Sequence, residues 1–175
     1  VMGDVSQNIR MDYGISDWEG VKNILLTGER DNFCVLRKSY RNTVEIANFA
    51  SDILAHGEFP GYGAEPVIRH GEAVGIRQTA GRDLYREAAK ICKGWQTDGF
   101  DTIAVICRDQ KQAQETAELL QKELPVMPWD PEKASFEKGI MVFPVEYTKG
   151  LEFDAVLLLS PDREFYPTDG GHAKL

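Results

Sequence analysis

A chain of 175 residues with 42% hydrophobic side chains and a formal charge of -8 is about the size at which one core buries most of its apolar surface, so one domain over residues 1–175 is expected. Its longest apolar runs, Thr102–Cys107 and Ala155–Leu159, are strand-sized and far short of the roughly 20 residues that span a bilayer, so no membrane contact is expected. The negative charge argues against strong nucleic-acid binding by this chain alone, because non-specific affinity comes mainly from cations displacing counterions around phosphate.

The first expected strand, Val1–Val5, runs into the polar turn Ser6-Gln7-Asn8. Ligands of open parallel sheets gather at the carboxyl ends of strands, so Asp4 and Gln7 can face one there, or they can simply satisfy turn backbone groups. The opening residues lack a charged start, an apolar stretch and a small-residue cleavage site, and a cytoplasmic location is expected. Strand Phe33–Leu36 then leads through Arg37–Asn42 to an amphipathic helix, Thr43–Leu54, whose start is marked by Asn42 or Thr43. Val44, Ala47, Phe49, Ala50, Ile53 and Leu54 form its broad apolar face. Arg41 at the helix entry is suited to gripping a phosphate bidentately and Tyr40 to stacking on a base, with the helix N-terminus adding partial positive charge. The alternative is a half-buried Tyr40 and an Arg41 paired with a surface carboxylate.

The Gly- and Pro-rich stretch Pro60–Pro66 reads as a loop, followed by short strands at Val67–Ile68 and Gly75–Gln78. Helix Leu84–Trp95, strand Thr102–Cys107 and helix Gln110–Leu124 come next, each with clear periodicity, and Pro125–Pro131, with three prolines, reads as a second loop. Strands Gly139–Phe143 and Ala155–Leu159 flank the segment Val145–Asp154. There Gly150 permits a tight bend, and Glu152 is an acceptor suited to a ribose hydroxyl or to orienting a cation, unless Lys149 and Glu152 form an ordinary surface pair. The last stretch, Pro161–Leu175, carries turn formers without apolar periodicity and is expected to be partly disordered. Strands alternating with helices predict an α/β fold, a parallel sheet with helices on both faces.

Cys34, Cys92 and Cys107 are odd in number, lie in apolar stretches and form no C-x-x-C pair, so buried, reduced thiols are expected rather than zinc ligands. His56, His70 and His172 are isolated from one another in sequence, and no metal site is expected among them.

Three segments, in order, resemble the second half of the UvrD/Rep-like superfamily 1 DNA helicase motor. Gly3-Asp4-x-x-Gln7-Asn8-Ile9 resembles motif III, Tyr40-Arg41-Asn42-Thr43 motif IV, and Lys149-Gly150-Leu151-Glu152-Phe153-Asp154 motif V. Ala104-Val105-Ile106-Cys107-Arg108 with its following helix resembles the strand and helix between motifs IV and V. The resemblance implies a RecA-like (P-loop NTPase-type) fold and a C-terminal motor domain that senses ATP at a cleft with an N-terminal RecA-like domain of the same protein. It implies that Gln7 senses the γ-phosphate, Arg41 contacts it, Tyr40 stacks on adenine, and Glu152 faces the ribose with Gly150 nearby. Single-stranded DNA is the implied partner, with Tyr13, or else Trp18, stacking on a base, and Arg108 and Lys149 as further nucleic-acid contacts.

Departures from the family pattern narrow these expectations. Pro144 and Glu146 stand where the family carries Thr and His, which weakens the DNA-facing part of motif V. Only Pro125–Lys138 fills the place of a large inserted subdomain, a layout similar to the HelD-like (helicase IV) branch. Some members of that branch act on RNA polymerase, so a helicase-like module docking on such a protein is the alternative. No G-x-x-x-x-G-K-[ST] phosphate loop occurs in the chain. The motif II acids that hold Mg2+ are expected before Val1 and motif VI after Leu175, so this segment is not expected to hydrolyse ATP by itself.

Overall fold

A computed structural model describes residues 18–26, 28, 34, 38–56, 65–66, 68–79, 81, 83–130 and 137–161. The strand expected at Val1–Val5, most of Phe33–Leu36, Gln7, Tyr13 and residues 162–175 lie outside them. The chain divides into two compact units, Val1–Ile76 with Tyr166–Leu175, and Arg77–Phe165.

In the first unit, helix α1 (Trp18–Leu25) buries Val21. Strand β1 (Lys38–Ser39) pairs in parallel with β2 (Glu65–Pro66), Lys38 opposite Glu65. The strand expected at Val67–Ile68 thus pairs two residues earlier, inside the stretch expected to be loop. Helix α2 (Val44–His56) follows β1. Its buried stripe is narrower than its composition suggests: Ala47 is buried, whereas Ala50 and Ile53 are exposed. Residues 71–79 form no regular secondary structure. Val74 and Ile76 carry the alternation that predicts a strand at Gly75–Gln78, yet no described strand pairs with them.

The second unit holds a four-stranded, all-parallel sheet in the order β4-β5-β3-β6. Its centre is β3 (Thr102–Cys107) against β5 (Gly139–Pro144), with β6 (Ala155–Leu158) on one edge and β4 (Val126–Pro128) on the other. Strand β4 lies within the proline-rich stretch expected to be loop; a proline is tolerated there because an edge strand leaves one side unpaired. Helices α3 (Asp83–Thr97) and α4 (Gln110–Leu120) both cover one face. Ala88, Ala89 and Cys92 of α3 and Ala113, Ala117 and Leu120 of α4 meet Ile103, Val105, Ile140 and Val142 in a continuous core. Small residues on the helices let them sit close on β-branched strand residues. Thr116 is the buried polar exception, and its Oγ1 accepts a hydrogen bond from Cys107 Sγ at 3.5 Å.

Asp109 sets the start of α4, its Oδ1 accepting from Gln112 N at 2.8 Å. The helix stops at Leu120 rather than Leu124, in a tightened turn where Glu123 N and Leu124 N both donate to Leu120 O. Pro125 bars any continuation beyond Leu124, since a residue before proline is driven from helical geometry.

The opposite face differs from expectation, because no described helix of this unit covers it. Ala104, Met141 and Phe143 are packed instead by Trp129, Leu151 and Phe153. The segment between β5 and β6 passes from the carboxyl end of β5, beyond β3, to the start of β6. It contains one 3₁₀ turn, Val145–Tyr147, and no α-helix. Helix α4 moves from β3 to β4 over one face and this crossover moves the opposite way over the other, which gives the two connections the same hand. Among the described residues no helix is long and apolar enough to cross a membrane. Cys92 and Cys107 are buried as expected, but Cys34 is exposed and lies in no described strand.

Candidate functional site

Tyr40 and Arg41 sit in the turn between β1 and α2, at the carboxyl end of a parallel strand, where ligands of such sheets bind. Both are exposed, Tyr40 at 72%. That removes the alternative of a half-buried tyrosine and leaves its ring face open for stacking.

The helix entry behind them is braced from residues 69–71. Arg69 O accepts from Val44 N at 3.0 Å. Gly71 N donates to Glu45 Oε2 at 2.9 Å, and His70 Nδ1 lies 2.8 Å from Glu45 Oε1. Thr43 Oγ1 accepts from Ile46 N at 3.5 Å. The first-turn amides of Val44 and Ile46 are therefore committed inside the protein, and a carboxylate already stands at the positive end of the helix. The anion affinity expected of this N-terminus is largely spent on Glu45.

The hydrogen bond from His70, with that from Gly71 N, holds the Glu45 carboxyl down from 4.5 to about 2. A folded-state pKa below the unfolded value stabilises the protein above about pH 4.5, and this contribution fades as pH falls towards 2. Thermal melts of wild type and Glu45→Gln are therefore expected to differ most near pH 6, to draw together below pH 4.5 and to converge only near pH 2. A gap that is constant with pH would show that the ionised carboxylate contributes nothing.

In the second unit, the crossover alternates its side chains: Leu151 and Phe153 pack inward, while Lys149, Gly150 and Glu152 are exposed. Gly150 has φ of 84°, a left-handed conformation that favours glycine. Pro144 is buried at the end of β5 and Glu146 is exposed on the 3₁₀ turn.

The last residue of the crossover, Asp154, is structural. Its Oδ2 accepts from Asp101 N at 3.1 Å, Thr102 N at 2.8 Å and Thr102 Oγ1 at 2.8 Å. Asp154 N donates back to Thr102 Oγ1 at 3.0 Å. The donors from Thr102 and Asp101 lower its carboxyl pKa. Lys138 Nζ adds an ion pair to Asp101 at 2.7 Å, tying the starts of β3, β5 and β6 together. Asp154→Ala removes these hydrogen bonds and is expected to cost about 0.5–1.5 kcal/mol in chemical denaturation. Asp154→Asn, which keeps an oxygen there, should lose clearly less; equal losses would contradict the assignment.

Arg108 donates through Nε and Nη2 to Asp109 Oδ2 at 2.9 and 2.6 Å, so its charge is partly offset. Trp18 opens α1 and is half-buried. Two recesses of the second unit are lined by none of the residues assigned to nucleotide or DNA from the sequence. One, of about 810 Å3, lies beside α3 between Arg77, Arg86, Lys93 and Glu123; the other, of about 270 Å3, runs along α4 to Trp129. Trp129 stacks between Phe143 and Tyr147, at 5.3 and 5.2 Å between centroids.

Sequence reading missed the Glu45–His70–Gly71 brace and the Asp154–Thr102 clasp; the only local signals were the acidic residue in the first turn of α2 and the aspartate just before β6. The exposed guanidinium and phenol at a strand-to-helix turn suit a nucleotide's phosphate and base. Among the described residues no group of three or more His, Cys, Asp or Glu side chains is able to hold a metal ion, and no magnesium-binding role is assigned to them. No protein-family model matches the chain, and no curated protein matches it either.

Proposed function

We propose that this chain is the second RecA-like motor domain of an ATP-dependent DNA helicase or translocase of the UvrD/Rep-like superfamily, acting with a first RecA-like domain of the same protein. The observation that carries the reading is the exposed Tyr40–Arg41 pair at the strand-to-helix turn, within a motif that matches the family's order. The all-parallel sheet supports it at the level of fold.

ATP, bound with Mg2+ held from outside this chain, supplies the phosphoryl group transferred to water. Phosphoryl transfer depends on positioning and on stabilising charge over the phosphate oxygens. Arg41 serves it by presenting a planar, permanently charged donor to the γ-phosphate, and Tyr40 by holding the adenine ring. Glu152, proposed as the acceptor for the ribose, and Gly150 enter this reading through the motif resemblance alone. Gln7, Tyr13 and single-stranded DNA enter this reading through the motif resemblance. Lys149 is the exposed cation left to meet a DNA phosphate.

The test is steady-state ATP hydrolysis by the intact protein, with and without single-stranded DNA, in wild type and Arg41→Ala. Turnover stimulated by DNA and lost with Arg41 supports the reading. Absence of DNA stimulation, or stimulation that survives loss of Arg41, overturns it.

A further inference from the structure

We infer that His70 and Gly71 are positioning residues for Arg41, acting through Glu45 and Thr43; the inference rests on the nucleotide-site reading above. Arg41 lies two residues before Thr43, and the segment 69–71 grips the chain directly after that threonine. Arg69 O takes Val44 N, while Gly71 N and His70 Nδ1 hold the two oxygens of Glu45. The approach is close: a Cβ on Gly71 would lie 2.7 Å from Thr43 Cγ2. Thr43 is β-branched and stiff at χ1, and its Oγ1 is committed to the helix start, so it cannot swing aside without loosening α2. Glycine at 71 is thus required by proximity rather than by backbone angle.

The chemistry gives the brace a purpose. A guanidinium stabilises transferring charge only when its donors are held in place, and a misplacement of about 1 Å can cost on the order of 10²-fold in rate. Tyr40 and Arg41 stand on an exposed turn, and the α2 entry that follows directly is one support of that turn's rigidity. Two of the bonds that fix this entry come from a segment 25 and 26 residues further along the chain.

The experiment uses the intact protein and compares Gly71→Ala, Thr43→Ser, the double variant, Glu45→Ala and Arg41→Ala. Gly71→Ala is expected to lower kcat for DNA-stimulated ATP hydrolysis about 10-fold, with KM for ATP moved far less, because misplacement acts on the transition state. Adding Thr43→Ser deletes the methyl that the new Cβ strikes and keeps the hydroxyl, so the double variant is expected to return to the kcat of Thr43→Ser alone. Glu45→Ala breaks the brace without adding an atom and should lower kcat in the same direction, which covers the case in which Gly71→Ala fails to fold. If Arg41→Ala abolishes turnover while Gly71→Ala and Glu45→Ala leave kcat at the wild-type value, the positioning role is overturned and the nucleotide reading stands. A kcat lost in Gly71→Ala and not regained with Thr43→Ser likewise overturns it. If Arg41→Ala leaves turnover unchanged, the nucleotide reading itself fails, and this inference with it.

Discussion

Replacing Arg41 with alanine in the intact protein is expected to lower single-strand-stimulated ATP turnover by roughly 10³-fold, the scale set by arginines that neutralise charge on a transferring phosphoryl group. The loss should fall mainly on kcat, because an interaction made chiefly in the transition state leaves ground-state binding little changed. Arg41→Lys should recover only part of it: a lysine supplies the charge without the planar pair of donors. Tyr40→Ala provides the contrast. A ring that only stacks on the base acts on ground and transition states alike, so its removal should raise KM more than it lowers kcat. Equal damage to kcat from both variants would mean that the turn, rather than the guanidinium, is what the assay reads.

The largest stability effect is expected at Leu120. It is fully buried at the end of α4, in the core formed with Ile103, Val105, Ile140 and Val142. Leu120→Ala leaves a cavity under the last turn of the helix and is expected to cost about 2–5 kcal/mol. That is a large part of the roughly 5–15 kcal/mol by which a domain is ordinarily stable. The turn after α4 limits relaxation, since Leu120 O is held by both Glu123 N and Leu124 N and the backbone is not free to collapse inward. Urea denaturation of wild type and variant checks this through the change in midpoint at constant slope. A loss below about 1 kcal/mol would show that α4 does not close the core as described.

How much of this was legible beforehand follows from the range over which each signal acts. Thr102–Cys107 was plain, because an uninterrupted apolar run between turns fits a strand buried on both faces. Helices α3 and α4 were plain to within a few residues from their periodicity. Strand β4 was hidden because Pro125 and Pro128 argue for a loop, and only its place at the sheet edge makes them acceptable. Gly75–Gln78 shows the reverse error: alternation marks a segment able to pair but does not supply a partner.

The same division runs through the site. Tyr40 and Arg41 could be picked out because a strand-to-helix turn is a local pattern. Their brace could not, since Glu45 meets His70 and Gly71 across 25 and 26 residues, and no periodicity spans that distance. Asp154 shows how a motif can mix purposes: Gly150 and Glu152 face outward, while the aspartate that ends the same six residues is spent on Asp101 and Thr102.

The parallel order β4-β5-β3-β6 also governs how this unit comes into being. Parallel neighbours cannot be joined by a tight hairpin, so every pairing in this sheet closes a long loop and none can form early from adjacent residues. Strand β3, central in the finished sheet, depends for one of its two partners on β6, the last described strand of the unit to be made. During synthesis on the ribosome it must wait with that edge unpaired until Ala155–Leu158 emerges. This interval is when the nascent chain is most exposed to pairing with a neighbour.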